Sequence, residues 1–261
     1  MSQTRALLFA GILLISSSVG VAQVVNPDDY EMVLLPVLAQ RTPGAFGSLW
    51  FTHFLMLNDA SIPAAFHPIY CPFTCPGSDV WDVRPGRPES PSTDFAPAGE
   101  PPGRLFYVHR NVASRVTFNL RIQDLSRQAQ TWGTEIPVIR EGEFLVGKAQ
   151  FLDVPITAGF RPALRIYDVD GTGRTEITVR FYSYSSPTLL SEMRLPLPVT
   201  GRQGNPPLLP GYAELASLGA MFPGEQRVRI ELEPASPGLR YWAFVSVTNN
   251  ETQHVTTMTP Q

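Results

Sequence analysis

VTFNLRIQD, running from Val116 to Asp124, decides the fold class. Val116, Phe118, Leu120 and Ile122 are apolar, and Thr117, Asn119 and Arg121 stand between them. Side chains of an extended chain point alternately to opposite faces, so a period of two sets one face on a core and the other in water. The same alternation returns at Ile177, Val179 and Phe181, and at Val228, Ile230 and Leu232. Tyr30 to Leu38, Trp50 to Asn58, Leu164 to Tyr167 and Tyr241 to Val247 also read as strands. Helical periodicity is nearly absent. Tyr212 to Phe222 (YAELASLGAMF) is expected to form a short helix, and Leu125 to Gln130 a helical turn. The expected class is all-β. A composition with 26 prolines, 20 glycines and only 16% charged residues fits a chain of many turns.

Outward from this strand the chain repeats itself. Trp50, Phe54, Met56 and Asn58 share their spacing with Phe160, Leu164, Ile166 and Asp168. Each set is an aromatic residue, two alternating core positions and a turn-forming Asn or Asp. Leu120, Ile122 and Asp124 resemble Val245, Val247 and Asn249, and each run leads to a proline, at Ile136-Pro137 and Met258-Thr259-Pro260. Apolar text precedes each aromatic, VLLPV at 33–37 and FLDVP at 151–155. A duplication predicts two tandem β-sandwich domains, 23–142 and 143–261. The boundary should fall between Arg140 and Gly147, where REGEF breaks the apolar pattern.

The first residues, MSQTRALLFAGILLISSSVGVAQ, place Arg5 before an apolar run from Ala6 to Ile15, then a small-residue segment ending Gly20-Val21-Ala22. This is the pattern of a cleaved secretory signal over 1–22, and the run is too short to span a bilayer. The expected localisation is therefore secreted, periplasmic or extracellular, with no membrane span. A net charge of −3 argues against a nucleic-acid partner, which needs a basic face. Nineteen arginines stand against the single Lys148, a ratio for which we have no physical account.

Residues 60–103 differ from the rest, with ten prolines in 44 residues, both cysteines and no alternating run. A loop this long is usually functional or unstructured, so a binding function is expected here. Cys71-Pro-Phe-Thr-Cys75 reads as a disulfide closing a tight loop in an oxidising compartment, contributing only ~2 kcal/mol. Tyr70, Phe73 and Trp81 are the expected contact residues. Trp81 lies between Asp79 and Asp82; it suits stacking on a sugar or anchoring a peptide, and packing over the disulfide accounts for it at least as well. Trp50, Trp132 and Trp242 fall in or beside strands and are expected in the core. A copper or zinc site at His67, Cys71 and Cys75 is a second reading, although the spacing is not a standard zinc pattern. Asp168-Val-Asp170-Gly171-Thr172-Gly173 resembles a calcium loop but lacks the twelfth-position Glu, and a hairpin turn explains it equally. No Gly-x-Ser-x-Gly elbow exists, and none of His53, His67, His109 and His254 has a catalytic context. No enzyme and no cofactor is therefore expected; a secreted hydrolase is the third reading.

Several phrases resemble a group of exported bacterial proteins built of β-sandwich repeats. They are YEMVLLPV, GAFGSLWFTHFLMLN, SRQAQTWGTEIPVIRE, FRPALRIYDVD and YWAFVSVTNNETQHVTTMTP. The resemblance implies export and tandem immunoglobulin-like domains, and carries no functional residues. The reading as a whole is a non-catalytic secreted binding or structural module, its partner a glycan or an envelope protein.

Overall fold

The computed structural model describes residues 26–70, 81–90, 103–127, 132–199 and 206–261. The signal segment and Cys71, Phe73 and Cys75 lie outside the described residues. The strands of the first half are β1 (Tyr30–Leu35), β2 (Thr42–Pro43), β3 (Leu49–Asn58), β4 (Ala64–His67), β5 (Trp81–Val83), β6 (Pro88–Glu89), β7 (Arg104–His109), β8 (Val116–Asp124), β9 (Thr134–Ile136) and β10 (Ile139–Arg140). Those of the second are β11 (Leu145–Val146), β12 (Ala149–Pro155), β13 (Phe160–Asp168), β14 (Glu176–Ser183), β15 (Leu189–Pro196), β16 (Gly211–Leu215), β17 (Arg227–Pro234), β18 (Arg240–Asn249) and β19 (Val255–Met258). Two single-turn helices, α1 (Arg110–Ala113) and α2 (Leu218–Met221), interrupt them. No helix among the described residues is long and apolar enough to cross a membrane.

The strands form four antiparallel sheets. In the first half β1-β7-β4-β5 faces β3-β8-β9, with β6 on the far side of β3. In the second half β12-β17-β14-β15 faces β16-β13-β18, with β19 on β18. Taken in chain order, β1, β3, β4, β5, β6, β7, β8 and β9 pair just as β12 to β19 do. Register repeats as well. Trp50 sits opposite Asp124 and Phe54 opposite Leu120, while Phe160 sits opposite Asn249 and Leu164 opposite Val245. Leu120 faces Ile136, as Val245 faces Met258. The two sequence echoes are thus the two central strands of each sandwich, and an identical side-chain register explains their identical spacing. Within each half the first two matched strands lie in opposite sheets, whereas those of an immunoglobulin domain share one.

The turn residues behave alike too. The carboxamide oxygen of Asn58 accepts the Ala60 N–H at 2.9 Å, and Asp168 Oδ1 accepts the Asp170 N–H at 3.0 Å. Asp124 and Asn249 likewise take the N–H two residues on. Each side chain folds back on its own backbone and stops the strand. Asp124 also accepts Leu49 N–H at 2.8 Å and the Ser126 hydroxyl at 2.7 Å. Burial alone would raise its pKa, but these bonds and the nearby Arg127 hold the carboxyl below its ordinary value. A depressed folded pKa gives stability that is present above the unfolded value, about 3.9, and lost as pH falls through the folded one. Asp124→Asn should therefore flatten the acid limb of a urea-stability profile; an unchanged limb would place the titration elsewhere.

Two expectations are corrected here. Residues 60–103 are not one long loop, because β4, β5 and β6 lie within them. Each of these strands is four residues or fewer, too short for a period of two to declare itself. The helix expected over Tyr212 to Phe222 shrinks to α2, and Gly211–Leu215 is a strand instead. Pairing with β13 from Leu164↔Leu215 to Asp168↔Gly211 overrides helix propensity there.

Two buried clusters result. Val154, Leu164, Ile166, Val179, Phe181 and Ile230 belong to the second. The first gathers Phe54, Phe66, Phe106 and Leu120, but also Tyr167, Val169, Trp242 and Phe244 from β13, β18 and the turn between β13 and β14. The sheet of β13 and β18 therefore faces its own partner sheet with one side and the first half with the other. Polar closures match this packing. Tyr167 donates to the Pro36 carbonyl at 2.7 Å, Tyr107 to Pro207 at 2.8 Å and Thr134 to Val255 at 2.6 Å. Arg240 joins Asp170 at 2.6 Å and Glu141 at 3.1 Å.

Candidate functional site

The structure disperses the site expected around the proline-rich segment. Trp81 is 7% exposed and its indole lies inside the first core. It stacks on Phe66 (5.4 Å between centroids, 7° between planes) and on Phe106 (4.9 Å, 23°), with Phe54 at 5.6 Å. The polar neighbours misled the reading: Trp81 and Val83 point inward from β5 while Asp82 points out. Tyr70 is half-buried against Tyr30 and Tyr107, each at 4.9 Å. His67 is buried on β4. Trp132 inverts the other expectation; at 84% exposed it is a surface ring, set beyond the last core position of its hairpin.

The Asp168 loop is a turn with its oxygens engaged. Asp168 accepts Thr172 and Thr175 hydroxyls at 3.2 and 2.7 Å as well as the Asp170 N–H, and Asp170 is held by Arg240. Among the described residues, no group of three or more His, Cys, Asp or Glu is gathered for a metal. The carboxylates of Glu192, Glu231 and Glu233 come together around Arg180 on the outer face of β14 and β17. That is an ion-pair network on a sheet face, where a glycosidase would need an open cleft.

What the sequence did not indicate is a cleft between the halves. It encloses about 270 Å³. Its lining comes from the inner face of β3, β8 and β9 and from the outer face of β13 and β18 with their neighbours. Val37, Trp50, Ile122 and Ile136 line one wall; Phe244 and Val255 line the other. Between them lie Arg165, Glu214, Ser246 and Thr248. Arg165 donates to Glu214 at 3.0 Å and to the Ser246 hydroxyl, and lies 5.6 Å from the Phe244 ring centroid. Tyr212 donates to the second Glu214 oxygen at 2.8 Å. The pair places one fixed charge couple on an apolar surface, which suits orientation of a ligand. Ser246 accepts from a guanidinium and is not thereby activated as a nucleophile.

At the rim, Arg161 follows the same outer face, opposite Thr248 in register. Its guanidinium donates to Asn250 Oδ1 and Gln253 Oε1, both at 2.8 Å, and lies 4.8 Å from the centroid of Phe46. Phe46, 62% exposed, comes from the turn before β3 and has a left-handed φ of 56°. A bulky side chain there is strained, and such residues cluster at binding sites. Arg127 donates to the Phe46 carbonyl from the first half.

Fold and cleft together define a class: an all-β protein of paired antiparallel sandwiches with a polar-centred groove between its halves. No family model, no curated protein and no solved structure matches the chain.

Proposed function

We propose that the protein is an exported, non-catalytic binding module of the cell envelope or extracellular space, and that its ligand lies in the cleft between the halves. The signal-like 1–22 segment supports export. The observation that carries the binding reading is the cleft, which has apolar walls and a single charge couple at its centre. Ligand sites favour such junctions between domains, where few well-placed polar groups fix orientation. The Cys71–Cys75 loop is a less favourable place, since Trp81 is occupied in the core.

Thr248→Phe tests the reading by filling the cleft with a ring. On an array of glycans and envelope peptides, wild-type signals should vanish in Thr248→Phe while the circular dichroism spectrum is unchanged. Equal signals from both proteins, or none from wild type, would remove the cleft as the binding site.

A further inference from the structure

Arg161 stands out for what holds it. Most arginines of the outer faces meet a carboxylate, as Arg165 meets Glu214 and Arg180 meets Glu233. Arg161 meets two neutral amides, and no carboxylate among the described residues lies within ion-pair distance. Both amides are themselves locked. Asn250 Nδ2 donates to the Ala158 carbonyl at 2.6 Å, and Gln253 Nε2 to the Asn250 carbonyl at 2.8 Å. Their oxygens are thereby turned to the guanidinium. Gln253 is fully buried and adopts a left-handed φ of 57°, so a strained and buried side chain fixes this one cation. Arg127 approaches from the other half. Its carboxylate partner is Asp124, whose Oδ2 lies at 3.7 Å, beyond hydrogen-bond distance, while Oδ1 takes the Leu49 and Ser126 groups. Burial and the positive charge of Arg127 both lower the pKa of Arg161 from its ordinary value, as expected of two cations drawn together.

Resting on the cleft reading, we infer that the rim formed by Arg161, Arg127 and Phe46 receives an anionic group of an acidic saccharide, carboxylate or phosphate. A guanidinium held rigid by neutral acceptors keeps donors free and charge unspent, so an arriving anion gains a charge-assisted bond with little reorganisation. The saccharide is favoured over an acidic peptide by the neighbouring groups. Phe46 and the 84% exposed Trp132 stand at the same end of the β3–β8–β9 sheet and offer ring faces. Thr248 and Ser246 present hydroxyl groups in the adjoining cleft, suited to sugar hydroxyls.

Calorimetry on the full chain at low salt tests this, with oligogalacturonate, its methyl ester, a phosphorylated mannan, unmodified mannan and a poly-glutamate peptide as probes. At least one acidic saccharide should bind about tenfold more tightly than its neutral counterpart, the value of one charge-assisted hydrogen bond. Arg161→Gln should abolish that preference, and Arg87→Gln, whose residue is ion-paired to Glu89 elsewhere, should keep it. The carboxylate and phosphate arms tell the two sources of anion apart. Equal binding of acidic and neutral saccharides overturns the inference but leaves the cleft reading standing, as does preference for poly-glutamate. Equal loss in Arg161→Gln and Arg87→Gln reduces the effect to overall charge and overturns it too. An absence of saccharide binding overturns the inference, and the cleft reading then stands or falls on the array of glycans and envelope peptides. Should Arg161→Gln melt early, Arg161→Lys keeps the charge but not the paired donors, and must weaken acidic binding for the inference to hold.

Discussion

Replacing Trp81 with alanine should lower the stability of the fold by about 3–5 kcal/mol, the usual cost of deleting a large aromatic from a packed core. The indole packs against both Phe66 and Phe106, whose rings stack on each other at 4.5 Å, and Phe54 from the facing sheet lies 5.6 Å away. The stacked rings around it are rigid, so the void would persist and its lining would lose contacts. Trp81→Phe should cost less, since it keeps the stack. Trp132→Ala, on the surface, should change stability by no more than about 0.5 kcal/mol. Urea unfolding of the three variants measures all of this. If Trp81→Ala melts with the wild type yet fails to bind a ligand, the core assignment of Trp81 is wrong.

Tyr167→Ala should be comparably severe, for a different reason. Tyr167 lies on β13 but packs in the first core, in the company of Phe244 and Tyr212, and bonds the Pro36 carbonyl. Its removal leaves a cavity between the halves and a buried carbonyl without its donor, so a loss of about 3–5 kcal/mol is again expected. The two halves should also uncouple. Wild type should unfold in one transition followed identically by fluorescence and circular dichroism, and the variant in two. Tyr167→Phe keeps the ring and should cost only the carbonyl, about 1–3 kcal/mol. Two transitions already present in wild type would show that the shared packing does not couple the halves.

Legibility in the sequence followed side-chain chemistry. β8, β14 and β17 alternate cleanly because one face is buried and the other wet, and the spacing shared by Trp50 and Phe160 survived because register preserves it. β4 and β5 escaped notice because each contributes so few core residues. Trp132 was read the wrong way, since a strand nearby looked like burial, and of the two readings open for Trp81 it is packing in the core, not ligand contact, that the structure bears out. The cleft was invisible for a further reason. Arg161, Arg165, Ser246 and Thr248 read as an ordinary wet face, and only the docking of one sheet against the other half turns that face into a lined groove. The one trace was YWAFV at Tyr241 to Val245, an unbroken apolar run of the kind that marks a strand covered on both sides.

That doubly covered strand has a bearing on how the molecule is made. A ribosome delivers the amino end first, yet Trp242 and Phe244, which complete the nucleus around Phe106, are synthesised more than a hundred residues later. The earlier half must therefore wait, its grease partly bare, until the closing hairpin arrives. Maturation is governed by the arrival of β18 and β19, and chain released prematurely before Arg240 would be a substrate for chaperones and proteases.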